Sequence, residues 1–164
     1  MTSTNNGNHP IRGWLLVFTL QYACALAANG FYGARSSYRA WRLFGGTTDF
    51  ARHLGQYVAG RAAAEAAIAI IIGIGLIMLV RGEHAAPRYW SVALLLVLAL
   101  ETLAVVCRYA ESRYLIEAGR TSNFAPNRFA VTLALAIATT VAWVLYWRRS
   151  SRVRRTFMSP LSDA

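Results

Sequence analysis

The stretch AAIAIIIGIGLIMLV, Ala66 to Val80, is fifteen residues long and carries no charge and no strong hydrogen-bonding side chain. Extended back to Val58 it becomes a run interrupted only by Arg61 and Glu65, both near its start. At 1.5 Å per residue such a helix is about 35 Å long, enough to cross a hydrocarbon core of roughly 30 Å. Composition decides between a membrane span and the buried helix of a soluble domain. Hydrophobic residues make up 56% of the 164 and charged residues only 15%, with a mean hydropathy of +0.36. Soluble domains carry about 25% charged residues.

Three further runs have the same character. The first, 13–32, opens on Trp14 and closes on Phe31 and Tyr32, aromatics suited to the two interfaces. The third, 88–107, follows Pro87 and is broken only by Glu101 and Thr102, and the fourth covers 129–147. With the second at 58–80, these predict an all-α, integral membrane four-helix bundle. It forms one transmembrane domain over 13–147, with a short polar segment over 1–12 and a basic tail over 148–164. Ala59, Ala62, Ala63, Ala66, Ala67 and Gly73 put small side chains at helical spacing, which permits close helix approach in lipid.

Arg12, a short apolar stretch and Ala25-Leu26-Ala27 resemble a signal peptide. Apolar character continues past Ala27, so the first run is read as a retained span. A lipoprotein reading of Cys24 fails because Gln21 occupies a position that wants an aliphatic residue. Cys24 near mid-membrane and Cys107 near a membrane face are too far apart to pair, and are expected to be small buried hydrophobes. Between the first two runs, Arg35, Arg39 and Arg42 share a face beside Tyr38, Trp41 and Phe44, a pattern that fits a surface-lying amphipathic helix. Beyond Cys107 the third helix is expected to project through RYAESRYLIEAG, its Arg and Glu residues alternating as on a solvated face.

All seventeen basic residues are arginine, against seven acids, for a net charge of +10. They lie between apolar runs instead of on the surface of a soluble fold, so the expected partner is a bilayer with anionic lipids, and nucleic acid is excluded. The side holding the two termini and the second loop has eight arginines and the other side nine, so a plain count assigns no orientation. Density does: Arg148, Arg149, Arg152, Arg154 and Arg155 follow directly on a span and are harder to translocate than arginines scattered over two longer loops. Both termini are therefore placed in the cytoplasm, with the five tail arginines as topology anchors on anionic lipid.

The tail also carries a pattern that charge alone does not require. Ser150-Ser151-Arg152-Val153-Arg154-Arg155-Thr156-Phe157 fits S-x-R-V-x-x-T-F, Ile11-Arg12-Gly13-Trp14-Leu15-Leu16 fits I-x-G-W-L-L, and Pro87-Arg88-Tyr89 fits P-x-Y after a basic segment at Arg81. With these blocks the chain resembles, from residue 11 to 157, the bacterial inner-membrane proteins of the domain of unknown function 2569 family. It departs in having Arg12 where glycine is usual and in an arginine-rich first loop. The resemblance implies a small multi-pass protein of the bacterial inner membrane with cytoplasmic termini, and no assigned activity.

Candidate chemistry rests on ionisable groups within the spans, since each costs about 2.5–3.5 kcal/mol to place in hydrocarbon. Glu101 lies thirteen residues beyond Arg88, about 20 Å deep. Glu65, about 10 Å in from the other edge, falls at a similar depth. Asn29 and Thr132 share that half of the membrane, so Glu65, Glu101, Asn29 and Thr132 define a candidate intramembrane polar site. The alternative is structural, with Arg61 pairing Glu65 at i+4 and Glu101 meeting Arg108, Thr102 or a neighbouring helix.

Catalytic patterns are missing from the sequence. His9, His53 and His84 lie outside the spans, where they cannot ligate haem in the bundle, and there is no C-x-x-C, H-E-x-x-H or G-x-S-x-G. The expectation is a non-catalytic accessory or envelope-associated membrane protein without cofactor or metal, partnered by a second copy or another membrane protein. The alternatives are a small proton-coupled transporter or channel using Glu65 and Glu101, and an enzyme whose outer-side arginines hold phosphate groups.

Overall fold

The computed structural model describes residues 13–122, 126–151, 153 and 157, the side chains of residues 126, 128 and 132 excepted. Among these residues the secondary structure is four helices, α1 (Trp14–Phe44), α2 (Asp49–Val80), α3 (Ala86–Glu117) and α4 (Pro126–Arg149), in an integral membrane bundle. Each has a stretch long and apolar enough to cross a bilayer. Neighbours in sequence are neighbours in space, α1 on α2, α2 on α3 and α3 on α4.

Local chemistry sets the ends. Gly13 caps α1 at φ 63°, a left-handed conformation that glycine adopts without a Cβ penalty, and its carbonyl accepts from the amides of Leu16 and Val17. Thr48 caps α2, its hydroxyl accepting from Ala51 N at 3.2 Å. Pro87 occupies the first turn of α3, where its missing N–H costs nothing.

At 31, 32 and 32 residues, the first three helices are each about 46–48 Å long, well beyond the hydrocarbon thickness. The overshoot lies at the end holding the α1–α2 turn and the C-terminus of α3, here called the loop end. The opposite, terminal end holds the start of α1, the α2–α3 turn and the close of α4.

Two expectations are corrected. Arg35 to Phe44 is no separate amphipathic helix but the continuation of α1, because Gly33, Ser36 and Ala40 form a buried stripe against α2 that carries the helix straight on. Cys24 is exposed and Cys107 half-buried, both free thiols. In a bilayer an apolar thiol facing outward loses nothing, so burial was not required. In the same way Ala63 and Ala66 of the small-residue stripe face outward while Ala62 and Ala64 are buried.

The core concentrates at the terminal end and is aromatic. Phe18 is fully buried, with the rings of Trp90, Trp143 and Trp147 edge-on to it at 4.7, 4.8 and 5.1 Å and Tyr22 at 4.5 Å. Edge-to-face pairs contribute about 0.5–1.5 kcal/mol each beyond burial, which matters where lipid removes most of the hydrophobic drive between helices. Trp90 lies so close to α2 that a Cβ on Gly75 would meet its ring at 2.6 Å, and its Nε1 donates to Gly75 O at 3.1 Å. Tyr89 ties the same turn, its hydroxyl donating to Ile71 O at 2.6 Å.

The tail closes this end. Ser150 Oγ accepts from Val153 N at 3.4 Å, and Val153 and Phe157, spaced i and i+4, are buried in the aromatic core. The Phe157 ring lies 6.2 Å from that of Trp147, and its carbonyl meets Nδ1 of His84 in the α2–α3 turn. Leu15, Tyr89, Val153 and Phe157, one or more from each sequence block singled out above, therefore converge on a single packed end.

Candidate functional site

The loop end is built from charge. Buried carboxylates are expensive unless paired and hydrogen-bonded, and two occur here, Glu65 on α2 at 6% exposure and Glu111 on α3 at 5%. Arg61, one turn before Glu65, lies between them. Its Nη1 donates to Glu111 Oε2 at 3.1 Å, and its Nε stands 3.7 Å from Glu65 Oε1. Ser36 on α1 completes the connection, accepting from Arg61 Nε and Nη2 at 3.3 and 3.2 Å while donating to Glu65 Oε2 at 2.9 Å. Arg39, one turn further along α1, reaches the other oxygen of Glu111 at 2.9 Å. Three helices are thus held in register by one continuous network.

Positive charge exceeds negative in this layer. Arg61 feels the attraction of Glu111 and Glu65 but also the like charges of Arg108 and Arg39. Arg108, on α3, is exposed, packs over the Phe129 ring at 5.4 Å, and has no carboxylate within ion-pair distance among the described residues. Arg35 is likewise without such a partner. Two cavities open on the layer. One of about 350 Å³ is lined by Arg35, Arg39, Arg61 and Arg108 with Ser36 and Glu65. The other, about 370 Å³, lies between Arg39, Arg61, Arg108 and the Ser112–Ser122 pair, whose hydroxyls are 2.7 Å apart.

The helical rise places this layer at one depth. Arg61 is nineteen residues from Val80, Arg108 twenty from Arg88 and Arg35 twenty-one from Trp14. Those separations are about 29, 30 and 32 Å along the axes, so the three guanidinium groups stand where the hydrocarbon core ends.

The polar residues expected in the outer half lie about 6–11 Å deeper by the same rise. Asn29, Glu65 and Glu101 line one cavity of about 310 Å³ with Leu133 and Ala136 of α4, and Arg108 stands at its rim. The Thr132 side chain lies outside the described residues. The members differ in how they are held. Glu65 is committed to Arg61 and Ser36, and Asn29 Nδ2 donates to Ala25 O at 2.9 Å. Glu101 has no hydrogen-bond or ion-pair partner among the described residues. The alternative contacts proposed for it from sequence do not form: Thr102 donates to Leu98 O and Arg108 turns to Phe129.

Sequence reasoning left Glu111 and Ser36 out of the candidate site, and reached Arg39 and Arg108 only among the outer-side arginines and, for Arg108, as a partner for Glu101. Glu111 was read as part of a solvated face, but it is buried under two guanidinium groups, one of them fifty residues away in the chain. The only local signal was the i,i+3 spacing of Arg108 and Glu111 beside the i,i+4 spacing of Arg61 and Glu65. In the tail, Arg148 and Arg149 are exposed, and Arg152, Arg154 and Arg155 lie outside the described residues. No group of three or more potential metal ligands occurs among the described residues.

No curated protein and no solved structure matches the chain. The sequence blocks of the terminal end and the four spans do have a counterpart: the family model described as Protein of unknown function (DUF2569) matches residues 8–158, almost the whole chain, and the protein belongs to that family.

Proposed function

We propose that this is a non-catalytic protein of the bacterial inner membrane, with both termini cytoplasmic, that binds a phosphate-bearing anion at the arginine layer of its loop end. The observation that carries this reading is the surplus of guanidinium groups. Arg35, Arg39, Arg61 and Arg108 face shared cavities against Glu65 and Glu111, and both carboxylates are already committed within the network. Guanidinium presents fixed forked donors that match phosphate oxygens, and at the hydrocarbon boundary such contacts are less screened than in water. The hydroxyl that meets a carboxylate at the layer, Ser36 on Glu65, has its lone pairs taken up by Arg61 Nε and Nη2, which favours holding over reaction. The density of arginines in 148–155 supports the orientation.

The test is equilibrium binding of inorganic phosphate to protein in nanodiscs of phosphatidylcholine. Saturable binding is expected, weakened at least about tenfold in Arg108→Gln, a loss of roughly 1.4 kcal/mol. Binding that is absent, or unchanged in that variant, refutes the reading. A second reading, a proton-coupled transporter, is favoured by one observation, Glu101 without a partner among the described residues in a cavity touched by all four helices. It requires a proton-dependent flux in reconstituted vesicles that Glu101→Gln abolishes.

A further inference from the structure

We infer that the anion held by the arginine layer is the phosphate of a membrane lipid whose chain enters sideways between α1 and α4. This rests on the phosphate reading above and names its source. The first observation is the unequal closure of the bundle. At the terminal end α1 and α4 are in contact: Phe18 packs on Trp143 and Trp147, and Trp143 Nε1 donates to Gln21 Oε1 at 3.1 Å. Towards the loop end the same two helices both line a cavity, α1 through Asn29 and α4 through Leu133 and Ala136. The apolar window of α4 is only 6% buried, against 33% for α2, so α4 is the helix least held by its neighbours.

The second observation is continuity. Arg108 lines this cavity and both of the arginine-lined ones, so a slot about 310 Å³ in volume, walled by Ile68, Leu133 and Ala136 as well as by Asn29, Glu65 and Glu101, adjoins the guanidinium layer. The third is depth. The layer stands about 30 Å from the terminal interface, at the edge of the hydrocarbon core and within an arginine side chain's length of the lipid phosphates, and the slot is below it in hydrocarbon. A soluble phosphate would use the charge and leave the slot unfilled. A lipid phosphate uses both, with its chain passing Asn29 and Glu101 between α1 and α4.

The decisive experiment is native mass spectrometry of the detergent-purified full chain with dioleoyl phosphatidylglycerol, dioleoyl phosphatidylcholine or inorganic phosphate added separately. Phosphatidylglycerol is expected to be retained at least about tenfold better than phosphatidylcholine, and inorganic phosphate to compete with it. Leu133→Trp, which fills the slot, is expected to reduce retention of phosphatidylglycerol to the phosphatidylcholine level. Ala136→Leu serves the same purpose if the tryptophan variant does not fold. Ile77→Trp, on an exposed position near the terminal end of α2, is the bulk control and is expected to leave retention unchanged. Phosphate binding without preference for phosphatidylglycerol, or equal retention by both slot variants, overturns the lipid inference and leaves the anion reading standing. Failure of phosphate and lipid alike overturns both.

Discussion

The two ends of the bundle solve the same problem, holding helices together in lipid, with opposite chemistry. At the terminal end Phe18, Trp90, Trp143, Trp147 and Phe157 interlock as rings, and the tail is drawn in to complete the packing. At the loop end Ser36, Arg39, Arg61, Glu65 and Glu111 form an ion-pair network beside cavities that packing does not fill. Ring packing joins α1, α3, α4 and the tail without using charge, so it suits a structural role. A charged network with surplus arginine leaves positive charge facing its cavities, which is what the proposed anion binding uses.

The largest expected effect comes from breaking the network. Glu111→Ala leaves Arg39 and Arg61 without the carboxylate that pairs them, and buried ion pairs broken on one side cost about 3–5 kcal/mol. Unfolding by denaturing detergent in mixed micelles is expected to show a loss of that order. A loss under about 0.5 kcal/mol, the range of ordinary surface substitutions, would mean that the network is solvated rather than buried.

Next in size is Phe157→Ala, which removes a ring from the aromatic end and is expected to destabilise by about 3 kcal/mol on the same assay. Combined with Glu111→Ala the two losses should add within about 0.5 kcal/mol, since the sites share no partner. Strong coupling between them would break the division into two independent ends. The smallest effect belongs to Glu101→Gln, where no partner is lost among the described residues. Stability is expected to change by less than about 1 kcal/mol, while a loss of several would reveal a buried ionic contact.

The contrast also separates what could be read in the chain from what could not. The four spans were legible because each is a local property of twenty or so residues, and Ala66 to Val80 alone nearly decides the class. The terminal end was legible as sequence blocks but not as chemistry. Val153 and Phe157 are spaced i and i+4 within a run of arginines, and nothing local says that these two apolar side chains turn inward. At the loop end, Asn29, Glu65 and Glu101 could be brought to one depth by counting residues, and they do line one cavity. Glu111 could not be found this way. Its burial depends on α1 continuing to Phe44, so that Arg39 reaches it, and the surface-helix pattern of Arg35, Arg39 and Arg42 pointed elsewhere.

The most direct test of the division is the rise in thermal midpoint on adding phosphate to detergent-solubilised protein, measured for the parent chain, Phe157→Ala and Arg108→Gln. The expected result is an equal rise in the parent and in Phe157→Ala, despite the lower starting midpoint of the latter, and no rise in Arg108→Gln. A rise preserved in Arg108→Gln, or lost in Phe157→Ala, would contradict an arginine end that binds and an aromatic end that holds.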